Sequence, residues 1–199
     1  MPAMSALARE STPLYFEETP LTLGALGPYR VEDYLALPDE PRCELIHGNF
    51  YVTASPAIRH QFLVIKRGKL LDTIAEASGG FAFVAPLDVE LAAHSVVQPD
   101  VIYVTPERRE ILRDFHGRLF GAPDLLVEIL SPGSLRRDRL HKLDLYLRSG
   151  VREYWIVDPA ERQIEFLIED QGRYAVALPN GNVYRSTALP EISLDLEAF

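Results

Sequence analysis

Two acids and one lysine are the residues of this chain best placed to do chemistry. Asp100 follows Gln98-Pro99 and leads into Val101–Val104; Glu128 interrupts the apolar run Leu125 to Leu130; Asp138, Lys142 and Tyr146 follow at four-residue spacing. Phosphodiester hydrolysis needs a water deprotonated near neutral pH and a phosphorane whose negative charge is stabilised. A hard divalent cation held by carboxylates does both, with a lysine assisting. Glu128 is the sharper signal, because a carboxylate inside Leu-Leu-Val-Glu-Ile-Leu is expensive to bury unless it is paired, protonated or metal-bound. The alternatives are a salt bridge to an arginine on a covering helix, or an open sheet face.

The elements that must position these groups can be read from period and punctuation. Leu125 to Leu130 reads as a strand buried on both faces, and the proline before Asp100 places that acid at a strand end or sheet edge. Ser134 is an N-cap candidate for a helix to about Arg148, closed by Ser149-Gly150. On an α-helix Asp138, Lys142 and Tyr146 fall within about 80° of one another, with Leu140, Leu143 and Leu147 on the other side. Val151 to Val157 is a further strand, followed by an antiparallel finish at 164–168 and 174–177. Upstream, His47-Gly48-Asn49 turns a hairpin between Glu44-Leu45-Ile46 and Phe50-Tyr51-Val52. Pro56 opens a helix to about Ser78, ended by Gly79-Gly80, with Phe62, Ile65, Leu70 and Ile74 as its apolar side. Residues 1–27 read as an arm or edge element, and 28–199 as one domain. The class is α/β, a mixed central sheet flanked by helices.

Bulk properties set limits. With 199 residues and 47% hydrophobic content the chain builds one sizeable core. No apolar run approaches the roughly 18 residues of a spanning helix, and the first residues lack a basic-then-apolar leader, so a cytoplasmic protein is expected. The single Cys43 has no Cys/His cluster around it and reads as a small half-buried apolar side chain. A net charge of −9 argues against tight, sequence-blind binding of a polyanion over the whole surface. Charge is uneven, however: residues 133–153 carry a net +3 and residues 153–199 a net −6. A local basic face on an acidic body suits nucleic acid docked in one orientation.

The wording of these segments resembles a large bacterial family of restriction-endonuclease-like proteins in the PD-(D/E)XK nuclease superfamily. It is carried by Pro123-Asp124-Leu125-Leu126-Val127-Glu128-Ile129-Leu130-Ser131-Pro132, by Asp138, Lys142 and Tyr146, and above all by Glu153-Tyr154-Trp155-Ile156-Val157-Asp158-Pro159. Glu44-Leu45-Ile46-His47-Gly48, His60 and Gln98-Pro99-Asp100-Val101 extend it, so that about residues 29–170 are covered. The resemblance implies a restriction-endonuclease-like fold and Mg²⁺-dependent DNA cleavage, with Mn²⁺ as a possible substitute. Asp100 and Glu128 match the two acids, while Leu130 stands where the motif expects lysine; Lys142 fits a lysine moved to the next helix. Glu44 matches a further metal ligand. His60 matches a phosphate or water contact, and Ser131, Asp138 and Tyr146 are candidates for substrate contact. By analogy with nucleases that cut both strands, a homodimer is expected.

Two other classes remain. A binding module for nucleic acid or protein that keeps the nuclease fold without catalysis would bind no Mg²⁺ or Mn²⁺ in this pocket. A two-carboxylate glycoside hydrolase needs an aromatic-lined cleft and gives Lys142 no task.

Overall fold

The structure is a computed structural model that describes residues 26–198 apart from Asp39, Ala54, His116, Pro132, Leu135 and Arg136. The expected arm, residues 1–27, falls almost wholly outside the described residues.

A short helix α1 (Val31–Leu35) precedes the hairpin of β1 (Cys43–Ile46) and β2 (Asn49–Val52). Its turn is two residues long, with His47 at φ 49° and Gly48 at φ 74°, the left-handed pair that matches strand twist. A Cβ on Gly48 would lie 2.4 Å from the carbonyl oxygen of Gly27, so glycine is required there for space as well as for φ. The long helix α2 (Ile58–Ser78) ends on Gly79 in the left-handed region at φ 78°. It is followed by β3 (Phe81–Val84), β4 (Val89–Ala92), β5 (Ser95–Val97) and β6 (Val101–Val104), and by a 3₁₀ segment, Pro106–Phe115. β7 (Leu119–Phe120) and β8 (Leu125–Ile129) follow, then a π-helical stretch, Arg137–Lys142, that runs into α3 (Leu143–Ser149). β9 (Glu153–Asp158), β10 (Gln163–Asp170), β11 (Arg173–Ala177), β12 (Val183–Arg185), β13 (Ser193–Asp195) and a 3₁₀ turn, Leu196–Ala198, complete the chain.

Two mixed sheets form the body. One has the order β2-β1-β5-β4-β7, the other β11-β10-β9-β8-β6-β3. In the larger sheet β8 lies between antiparallel β6 and parallel β9, which is why its residues are buried throughout. Side chains alternate across that sheet. Ile102, Val104, Leu126, Tyr154 and Ile156 face the smaller sheet and α3, in a cluster with Ile46, Val89, Val97, Leu145 and Tyr146. Val101, Tyr103, Leu125, Val127 and Trp155 face the opposite way, onto Val64, Leu71 and Ala75 of α2 and onto Tyr184 and Leu194 of the β12–β13 hairpin. Each fully buried Leu, Ile or Val contributes about 1.5–3 kcal/mol to this packing. The hairpin is also tied to the sheet by polar contacts. Glu153 is 0% exposed and accepts hydrogen bonds from the Trp155 indole, the Tyr184 hydroxyl and the Ser186 hydroxyl.

Three expectations change. Phe62 and Ile65 do not form the inner side of α2: they are 57% and 65% exposed, and Val64, Gly68, Leu71 and Ala75 face the sheet instead. The helix after β8 begins as π rather than α, a wider turn over Arg137–Lys142. Ser134 does not cap it in the usual way; its Oγ accepts from Ser131 N at 3.0 Å and bonds the Asp138 carboxylate.

Candidate active site

The β6–β8 register pairs Val101 with Val127 and Ile102 with Leu126. One step further it sets Asp100 opposite Glu128, on the same face of the sheet. That face is the one turned toward α3 and the smaller sheet, so alternation directs Glu128 into the interlayer space, while Asp100, just before β6, meets His60 of α2.

Lys142 meets Glu128 there. Its Nζ lies 2.7 Å from Glu128 Oε1, 2.9 Å from Glu44 Oε1 and 3.6 Å from Asp138 Oδ1. Asp138 and Lys142 lie on the π-helical stretch, and Tyr146, one turn on, donates its hydroxyl to Glu128 Oε1 at 2.6 Å. Glu44 arrives from the other sheet, on β1, where Gln98 N also donates to its Oε1 at 2.8 Å. Arg137 stands beside them, its Nε 3.6 Å from Glu44 Oε2 and 3.9 Å from Asp138 Oδ1. Asp100 accepts from Ile129 N at 2.7 Å and pairs with His60 Nε2 at 3.2 Å.

Electrostatics divides the acids. Burial pushes the Glu128 carboxyl well above the usual carboxylate range; the Lys142 charge pulls it back, but Asp138, Asp100 and Glu44 add to the rise. Burial acts on Glu44 in the same direction, yet Lys142 and Arg137 outweigh it and hold Glu44 below its ordinary value. Asp138 is raised by burial, against the pull of Lys142 and Ser134. Burial disfavours the Lys142 charge, but Glu128, Glu44 and Asp138 together keep the ammonium firmly protonated. One ammonium thus serves three carboxylates; Glu44 is held below its ordinary value while Glu128 and Asp138 are raised above theirs.

All eight sequence candidates can be placed. Glu128, Lys142, Glu44, Asp138 and Tyr146 form one contact cluster, and Asp100 and His60 form a pair beside it, held to β8 through Ile129 N. Ser131 sits half-buried at the exit of β8, its hydroxyl donating to Ser134 Oγ at 3.0 Å. Asp138 and Tyr146 were expected to touch substrate, but they are 2% and 0% exposed; what they contact is the acid cluster itself. Arg137 and the backbone N–H of Gln98 were not singled out. Arg137 lies next to Asp138 in a basic run, and the approach of β1 brings Glu44 to it.

The basic face expected over 133–153 is largely neutralised inside the fold. Arg139 pairs with Glu165 at 2.6 Å, Arg148 with Asp144 at 2.9 Å and Arg152 with Asp124 at 3.4 Å; Arg136 lies outside the described residues. Asp88 and Glu90 add no acid to the site. Asp88 takes the hydroxyl of Tyr34 and the side-chain amide of Gln98, and Glu90 pairs with Arg118.

Among the described residues no three His, Cys, Asp or Glu side chains converge as a metal-holding set. A Mg²⁺ site does not require three. That ion keeps several waters and is commonly held by one or two carboxylates together with substrate phosphate. The facing pair Asp100 and Glu128 fits this pattern, with the donors to Glu128 gathered on Oε1. Glu44 fits less well, since its Oε1 is taken by Lys142 and Gln98 N, and its Oε2 faces the Arg137 guanidinium.

With this geometry in hand, the chain was compared with known proteins. A family model described as "Uma2: Putative restriction endonuclease" matches residues 31–197. Among solved structures, a protein of Anabaena variabilis ATCC 29413 described as "a putative nuclease belonging to DUF820" superposes with a TM-score of 0.70. The two are 22% identical over 85% of this chain and 96% of that one, a likeness of fold. No curated protein matches the chain.

Proposed function

Because this chain belongs to the Uma2 family of restriction-endonuclease-like proteins, we propose that it is a divalent-cation-dependent endonuclease that hydrolyses DNA phosphodiester bonds. The observation that carries the reading is the meeting of Lys142 and Glu128 at 2.7 Å, with Asp100 opposite on the next strand.

In this reading Asp100 and Glu128 hold Mg²⁺, or Mn²⁺ in its place. When bound, the ion supplies an activated water and neutralises charge on the phosphorane. Lys142 places a fixed positive charge at the same carboxylate, where negative charge develops as the water oxygen bonds to phosphorus and the bond to the leaving oxygen breaks. Tyr146 and Lys142 together hold Oε1 of Glu128. Glu44 anchors the ammonium from the opposite sheet, a role its contacts favour over metal ligation. His60 orients Asp100, and Ser131 is placed at the exit of β8 to hydrogen-bond a phosphate oxygen. A cut through both strands takes two such sites, which a homodimer supplies.

Nicking of supercoiled plasmid tests the proposal. Wild type should nick with Mg²⁺ and not with EDTA. Asp100→Asn, which preserves an acceptor for Ile129 N, and Lys142→Met should both lose the activity while near-UV circular dichroism is retained. Undiminished nicking by either variant would refute the assignment.

A second reading, a nucleic-acid-binding module without catalysis, draws on the closure of the pocket by Lys142 and on the lack of a three-donor set among the described residues. It predicts no calorimetric heat with Mg²⁺ or Mn²⁺.

A further inference from the structure

The first three turns of α2 carry cations and no acid, unlike the rest of the chain; the exposed Asp72 and Glu76 lie further along the same side of the helix. No Asp or Glu occurs between Glu44 and Asp72, whereas Arg59, Lys66, Arg67 and Lys69 fall in that interval. At 100° per residue, Ile58, Arg59, Phe62, Ile65, Lys66 and Lys69 occupy a sector of about 120°, opposite the buried Val64, Leu71 and Ala75. All six are exposed, Ile58 at 92%. Among the described residues Arg59, Lys66 and Lys69 make no ion pair, in contrast to the arginines of 137–152. Lys66 instead lies over the Phe62 ring, 5.3 Å from its centroid. On the same helical turn His60 points inward and touches Asp100.

We infer that this stripe is a surface on which the DNA backbone docks, its first turn adjoining His60 and the Asp100 carboxylate that His60 touches. The inference rests on the nuclease reading and deepens it by naming the docking face. Charge complementarity selects the occupant. Three unpaired cations span about 15 Å of helix, the reach of about four phosphates along one strand. The apolar members are mainly aliphatic and Phe62 is partly covered by Lys66, which suits contact with sugar and backbone better than base stacking.

The test is binding of a fluorescein-labelled 20-base-pair duplex, followed by anisotropy in EDTA across a salt titration, so that cleavage plays no part. The triple variant Arg59→Gln, Lys66→Gln, Lys69→Gln should bind with a log–log salt slope shallower by about 3 units. Between 50 and 200 mM salt, wild-type affinity should therefore fall about 40-fold further than that of the variant. Arg148→Gln, which removes a paired arginine, should leave the slope unchanged. An unaltered slope in the triple variant, with wild type binding and nicking normally, overturns this inference alone. Absence of both binding and nicking in wild type overturns the nuclease reading and the docking face with it. A triple variant that changes the sedimentation mass while its DNA affinity is unaltered would assign the stripe to self-association and overturn the inference as well.

Discussion

Lys142 and Glu128 are separated by 14 residues of sequence and meet at 2.7 Å in a buried pocket. The strand delivers the acid and the helix that follows returns the amine to it. Neither group is tolerable there alone, since an uncompensated buried charge is far costlier than a compensated pair.

Removing the ammonium should therefore destabilise the fold as well as stop catalysis. Lys142→Met leaves Glu44 and Glu128 without their shared counter-charge, at a cost of about 3–5 kcal/mol, read as a lower urea midpoint. Adding Glu44→Gln should recover part of the loss. A Lys142→Met protein as stable as wild type would contradict the burial of this pair.

Metal affinity should rise with pH. Burial and neighbouring acids push Glu128 upward, so in the metal-free protein it tends to hold a proton that a bound cation must displace. Binding should strengthen as pH climbs toward the raised Glu128 value and then level off. Calorimetry in buffers of different ionisation enthalpy measures the released proton directly, and Glu128→Gln should abolish both binding and release.

The His60–Asp100 contact should stabilise the acid side of neutrality. Its hydrogen bond to Asp100 raises His60 above its ordinary value of 6.5, against the opposing pull of burial. The folded state then binds the proton more tightly than the unfolded chain. The contribution is fully present below pH 6.5 and is lost as pH rises through the raised value. Chemical denaturation across that range, compared with His60→Gln, should show the slope in wild type and its loss in the variant.

Glu153 should behave in the opposite sense to a surface carboxylate. Burial raises it, despite hydrogen bonds from Ser186, Tyr184 and Trp155 that favour the charged form. Between its ordinary value of 4.5 and the raised one, the folded state holds more protons than the unfolded chain, so stability falls as pH increases. Glu153→Gln keeps the acceptor and removes the charge. It should raise stability at pH 7, with a higher Tm and a flatter pH profile; a lower Tm would show that the charged form is the one the hairpin requires.

Local sequence was sufficient for several of these features. The apolar run around Glu128 specified a strand buried on both faces, and Gly79 and Gly150 marked the ends of α2 and α3 through their left-handed conformations. The hairpin turn at His47-Gly48 was equally legible, although Asn49, read as part of the turn, opens β2. Such features depend on φ preferences and periodicities that a few neighbouring residues express by themselves. The side of α2 that faces inward was not legible, because Phe62 and Ile65 are as apolar as Val64 and Leu71, and only the sheet decides which of them it covers.

For the site, the sequence determined the presence of two strand acids and a lysine within reach of one of them. Tertiary structure decided their relations. Glu44 comes from a different sheet, and its pairing with Lys142 requires two layers to close on each other. The π-helical form of the first turns was announced by no local period, although the four-residue spacing of Asp138 and Lys142 was. The division of protons among Glu44, Glu128 and Asp138 arises from burial in a shared pocket, since the energy of a charge depends on all the groups around it and on the water excluded from it. Residue spacing along the chain records neither.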